Sequence, residues 1–175
     1  DLVTGVQTCA LPIFSFGNFL IKQVVQELQI EYPSIKTFVT LSPIPGFHKW
    51  LGSIKDEELG GLNLLKTELN KVRKSEDELE SNRELIKKAA CNYLIQVKKG
   101  KYPLDPVARF HLGNGASIYQ LNVGADMSDK GLYQSWGTMV NYLYDLKDIE
   151  ENHEAYAIEG EIKFNDKLRP LIVKD

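Results

Sequence analysis

The stretch Thr37-Phe38-Val39-Thr40-Leu41-Ser42-Pro43-Ile44-Pro45-Gly46-Phe47 decides how this chain is read. Its first five residues are rich in β-branched and aromatic side chains and predict a strand over 37–41. Two prolines, Pro43 and Pro45, then end the ladder and stiffen the loop. Ser42 sits where strand gives way to loop, and strand ends are where open α/β sheets present polar groups to ligands. On spacing alone, a serine that caps a turn is the more economical reading.

Upstream, Phe19, Leu20, Val24, Val25 and Leu28 recur at helical spacing, with Lys22, Gln23 and Glu27 on the other side. They predict a helix over 18–31, with Gly17 and Asn18 as the turn and N-cap before it. Tyr32-Pro33-Ser34 ends it. Residues 1–13, DLVTGVQTCALPI, hold neither helical nor strand periodicity, and no basic residue precedes their apolar stretch as a signal peptide requires. They resemble a string that arises when sequencing adapter is translated as protein. The expectation is a non-native leader over 1–13 and one natural domain over 14–175.

Downstream, residues 55–98 carry many of the charges, most simply read as a solvated helical face. Ser75-Glu76-Asp77-Glu78 has the capping-box pattern, and Leu85, Ile86, Ala89, Ala90, Tyr93, Leu94 and Val97 form an apolar stripe. Gly100 and Pro103 close that region. Asp105-Pro106 reads as a turn, and Asn114-Gly115 as a tight turn that needs positive φ. Residues 116–123 and 139–146 alternate as strands do, 128–135 form a short helix or loop, and the segment from Ile149 is helical or irregular.

Helices alternating with strands indicate an α/β or α+β domain with a mixed sheet flanked by helices. Three strands with an apolar edge are poorly protected, so the sheet reads as the back half of a larger one. The 175 residues, 43% hydrophobic and 26% charged, suit one globular domain. A net charge of -3 offers no field to attract nucleic acid or an anionic membrane. The two cysteines, Cys9 and Cys91, make neither a disulfide framework nor a usual zinc site. A reduced, cytoplasmic setting is expected.

Ser42, His111 and a tyrosine of the Tyr142/Tyr144 pair form a sensible set for acid–base or oxyanion work. A lone histidine between Phe110 and Leu112 is more often a satisfied core residue, and tyrosines at period two are usually core. His48 and His153 lie among polar or charged neighbours and are expected at the surface.

The stretches FGNFLIKQVVQEL, TFVTLSPIPGFHKWL, DPVARFHLGNGA and SWGTMVNYLYDL, in this order, resemble the malonyl-CoA decarboxylase family. The resemblance covers about residues 15–160. It implies a GNAT-like acyl-CoA domain, preceded in the full-length protein by a helical oligomerisation domain, and a homo-oligomer. It implies conversion of malonyl-CoA to acetyl-CoA and carbon dioxide, with coenzyme A as part of the substrate and no metal or organic cofactor. The family's catalytic serine, histidine and tyrosine correspond to Ser42, His111 and Tyr144. The region that receives the CoA pyrophosphate corresponds to Ser15, Gly17 and Asn18. A GNAT-type acyltransferase that passes the acyl group to an amine is the competing expectation.

Overall fold

The computed structural model describes residues 14–53 and 60–173. In chain order these form α1 (Phe14–Glu31), β1 (Val39–Pro43), α2 (Phe47–Ser53), α3 (Gly60–Leu69), α4 (Glu76–Ser81), α5 (Arg83–Gln96), β2 (Lys98–Lys99) and β3 (Tyr102–Pro103). There follow α6 (Pro106–Gly113), β4 (Ser117–Asn122), α7 (Asp129–Ser135), β5 (Met139–Leu143) and α8 (Ile149–Glu159), then a 3₁₀ helix over Asp166–Leu171. The architecture is α+β. Its main sheet has the order β1-β5-β4 with both pairings antiparallel, and β2 and β3 make a separate short hairpin. The sheet expected to be mixed is therefore antiparallel. Among the described residues, the isolated bridge Ile118–Phe164, on β4, is parallel.

The strand expected over 37–41 lies two residues later, so Ser42 is inside β1 and pairs with Val140 instead of following the strand. Pro43 remains in register with Met139 because β1 is an edge strand, where a missing N–H leaves no ladder bond unmade. α1 already includes Phe14, so Gly17 and Asn18 lie within the helix and are not its turn and N-cap. Propensity is a weak prior, and these two residues illustrate it. The proposed leader, with Cys9, lies outside the described residues.

The charged region is broken at Asn82, whose ψ of 17° is not helical, giving α4 and α5 in place of one run. Ser75 does precede α4, but its side chain makes no capping hydrogen bond. α5 is the central helix, with Ile86, Ala89, Ala90, Cys91, Asn92, Tyr93 and Leu94 all buried. Burial pushes the Cys91 thiol up to about 12. Asn92 donates to Leu171 O at 2.9 Å and accepts from Val173 N–H at 2.8 Å, fastening the C-terminal segment to the core. A buried amide is tolerable when its polar atoms are partnered in this way.

The antiparallel register places Thr40, Ser42, Val140 and Tyr142 on one face of the sheet and Val39, Leu41 and Asn141 on the other. Val140 and Tyr142 are fully buried, whereas Val39 and Leu41 are exposed. Leu20, Val24 and Leu28 of α1 are also exposed, while Val25 is buried. The apolar edge expected from the sequence is thus present at β1.

Gly115, after α6, has φ of +80° and passes close to α8: an added Cβ would lie 2.2 Å from the Ile149 carbonyl oxygen. Gly115→Ala should therefore cost on the order of 1–3 kcal/mol from backbone strain alone, with the clash adding to it. Urea denaturation checks this: the midpoint should fall with the slope unchanged.

Candidate active site

β1 delivers the serine. Because side chains alternate along a strand, Thr40 and Ser42 share a face, and their hydroxyls lie 3.1 Å apart. The segment after Ser42 is pinned by two fully buried side chains, Ile44 and Phe47. The Phe47 ring meets Tyr93 at 5.6 Å and Trp136 at 5.7 Å between centroids. Gly46 sits so close to Tyr93 that an added Cβ would be 2.3 Å from its hydroxyl oxygen. Ser42 is held at the end of a rigid segment.

α6 delivers the histidine. Asp105 is its N-cap, its carboxylate accepting from the Val107 and Ala108 N–H groups at 2.9 Å each, and Pro106 occupies the first turn. Asp105-Pro106, read from sequence as a turn, is a helix start. His111 falls in the last turn of α6, buried, with its ring stacked on Tyr142 at 4.3 Å and 18°. Nε2 lies 3.0 Å from Ser42 Oγ and Nδ1 lies 2.6 Å from Tyr144 Oη. Tyr144, just past β5, is set by its own N–H donating to Phe38 O at 2.9 Å.

Burial pulls the His111 imidazole down to about 4, so the ring is neutral at pH 7, with one N–H and one lone pair. Desolvation raises Tyr144, which keeps its proton. With Tyr144 donating to Nδ1, the ring proton sits on Nε2 and is donated to Ser42 Oγ. In the other tautomer, Nε2 accepts the serine proton. Either way Tyr144, His111 and Ser42 form an unbroken hydrogen-bonded chain, capable of moving a proton to or from a ligand beside Ser42.

The structure thus brings Ser42, His111 and Tyr144 together. Ser15, Gly17 and Asn18 stand on the first turns of α1, and the residues before Phe14 lie outside the described ones. His153 is exposed, as expected, and its Nδ1 lies 2.7 Å from Gly113 O. His48 departs from expectation: it is half-buried against Tyr133 and Trp136 at 5.2 and 5.0 Å, because α2 packs on α7. Two contributors were not singled out from sequence, Thr40 beside the serine and Asp105 at the head of α6, while of the tyrosine pair Tyr142 lies beneath the histidine ring and Tyr144 bonds it. The Asp-Pro pair before an apolar run was the readable signal for Asp105.

A histidine whose folded value lies below its unfolded 6.5 binds protons more tightly in the unfolded chain. Its contribution to stability is complete above about pH 6.5 and is lost as pH falls toward about 4, a change on the order of 3 kcal/mol. Asp105, raised by burial, acts in the opposite sense. The difference between the parent chain and His111→Gln in denaturation midpoint across this pH range isolates the histidine, and the variant should show the shallower acid decline.

A family model described as the malonyl-CoA decarboxylase C-terminal domain matches residues 4–175. The chain is similar to a curated goose protein (Anser anser anser) named "Malonyl-CoA decarboxylase, mitochondrial", at 39% identity over 89% of this chain and 36% of that protein. Among solved structures it is similar to malonyl-CoA decarboxylase from Rhodopseudomonas palustris, with a TM-score of 0.79, 44% identity, and coverage of 90% of this chain and 38% of that one. The malonyl-CoA decarboxylase from Agrobacterium vitis aligns with a TM-score of 0.78 and 42% identity, covering 91% and 41%. The chain therefore spans well under half the length of these relatives. Coverage by the family model of nearly the whole sequence, with the LSPIPGF and FHL-x-NGA segments meeting at one buried pair, leads to one assignment: the chain belongs to the malonyl-CoA decarboxylase family, in its C-terminal domain.

Proposed function

We propose that this domain carries the reacting groups of a carboxy-lyase that converts malonyl-CoA to acetyl-CoA and carbon dioxide. The observation that carries the reading is the buried chain Ser42–His111–Tyr144, with 3.0 and 2.6 Å links, in a member of this family. In the proposed step the bond between the carboxylate carbon and the α-carbon breaks, and its electron pair becomes a thioester enolate. Ser42 Oγ donates first to the oxygen that gains charge, where a placed donor lowers the barrier most. The α-carbon then takes one proton by way of Ser42. His111 Nε2 replaces it as Nδ1 takes the proton of the Tyr144 hydroxyl, so the ring stays neutral, and solvent reprotonates the phenolate. The charge on the enolate is met by hydrogen-bond donors, so the reading calls for no metal or organic cofactor.

Coenzyme A enters as part of the substrate. Its pyrophosphate is assigned to the N-terminal part of α1, by Ser15 and Gly17, where the positive end of a helix favours anions. Asn18 is the next residue along. The proposed domain type is GNAT-like, and the whole protein is taken to assemble as a homo-oligomer. A cytoplasmic, reducing setting suits the free Cys91 thiol, although the goose relative's name places that protein in the mitochondrion. Among the described residues, no helix is long and apolar enough to cross a membrane.

Enzyme that carries this domain should release acetyl-CoA and carbon dioxide from malonyl-CoA with no acceptor present. Ser42→Ala and His111→Ala should each lower kcat by about 10²–10⁴-fold, with little change in CoA affinity. Tyr144→Phe should be milder, since the ring stays and one hydroxyl leaves. Free CoA appearing only when an amine is added would assign an acyltransferase. Near-normal turnover in both alanine variants would remove the pair from the chemistry.

A further inference from the structure

Thr40 places a second hydroxyl 3.1 Å from Ser42 Oγ, on the same face of β1, and the proposed chemistry gives it no task. Ser42 is buried whereas Thr40 is half-buried, so the pair leads from the dry side chain of His111 toward solvent. The backbone at Thr40 is held from the other face of the sheet. Asn141 donates to the Thr40 carbonyl at 2.8 Å, and Asn122 donates to the side-chain oxygen of Asn141 at 2.7 Å. In register, Thr40 lies opposite Tyr142, the residue whose ring stacks on His111 at 4.3 Å. One sheet therefore sets both hydroxyls and the ring beneath the histidine.

Two hydroxyls bring two protons, and their mutual bond uses one. With Tyr144 donating to Nδ1, His111 Nε2 donates to Ser42 Oγ and takes neither. Among the described residues neither hydroxyl makes a further hydrogen bond, so one proton of the pair is left for a ligand. The reaction asks for more than Ser42 can give at once. Ser42 donates to the thioester oxygen as charge develops and then passes its proton to the α-carbon, and at that moment the oxygen loses its donor. We infer that Thr40 is a second catalytic hydroxyl, donating to the thioester oxygen beside Ser42 and staying on it while Ser42 protonates the α-carbon. This role rests on the reading of Ser42 and His111 as the reacting groups. Hydroxyls 3.1 Å apart can both reach one oxygen at about 2.7–3.1 Å, the distance that an oxyanion donor needs. Their mutual bond is exchanged for two bonds to a charged acceptor, each about twice as strong as a neutral one. Thr40 keeps its proton throughout, and no covalent bond to it forms or breaks.

Thr40→Val keeps the β-branched shape that suits a strand and removes only the hydroxyl. In enzyme carrying this domain it should lower kcat about 10–100-fold with KM for malonyl-CoA within about twofold, because the lost bond belongs to the transition state. Thr40→Ser, which returns the hydroxyl, should bring kcat to within about threefold of the parent. Parental kcat in Thr40→Val, with only the melting temperature shifted, would make Thr40 a strand residue and overturn the proposal. A raised KM with kcat unchanged would also overturn it, since that marks a hydroxyl that holds substrate and transition state equally. If Thr40→Val does not fold, Thr40→Ala removes the same hydroxyl and carries the same expectations. Ser42→Ala measured in parallel separates the two claims. Turnover lost there and kept in Thr40→Val refutes Thr40 alone, whereas full turnover in Ser42→Ala removes the reaction on which the role of Thr40 stands.

Discussion

A single hydrogen bond, Ser42 Oγ to His111 Nε2 at 3.0 Å, spans 69 positions of sequence and makes sense of the rest of the structure. It can form only if β1 pairs with β5 in the observed register, because a slip of one residue would turn Ser42 to the opposite face of the sheet. It also needs α6 to lie across that face with its last turn above Tyr142. The buried aromatic cluster around Phe47, Tyr93 and Trp136 holds the segment that follows Ser42, and the Asp105 cap starts the helix that carries His111.

The site is dry by construction. Ser42, His111, Tyr142 and Tyr144 are all buried, and desolvation depresses the imidazole and raises the phenols together. Neutral donors and acceptors are therefore what these side chains offer at neutral pH. That suits a reaction whose charge arises in the substrate, since hydrogen bonds strengthen where the local dielectric is low. The same low dielectric explains why the buried carboxylate of Asp105 must be surrounded by N–H and O–H groups, and why a cation is not required to hold it.

Much of this was legible in the residues. The helix of 18–31, the strands near 117–122 and 139–143 and the stripe along α5 follow from periodicity, a local property of the chain. Resemblance then singled out Ser42, His111 and Tyr144, which no spacing rule connects. Where the reading slipped, competing physics is visible. The edge position of β1 admitted Pro43 into the ladder, moving the strand boundary past the serine. Pro106 opened a helix where a turn was expected, because its fixed φ and missing N–H suit the first helical turn. His48 was drawn inward by the packing of α2 against α7, which neighbouring residues in sequence do not encode.

By itself, the sequence determined which residue types are available and which elements they form: a serine at the end of a β-branched run, a histidine before Asn-Gly, tyrosines at period two, and a composition with a modest negative charge. Only the tertiary structure decided that the serine and histidine come within hydrogen-bond reach, that Tyr144 closes the chain at Nδ1, and that burial keeps the imidazole neutral. The division has a physical cause. Periodicity and capping are set by neighbours within a turn or two of the chain. Hydrogen bonds across tens of residues, and the desolvation that tunes them, exist only after sheet register and helix packing have brought distant segments into contact.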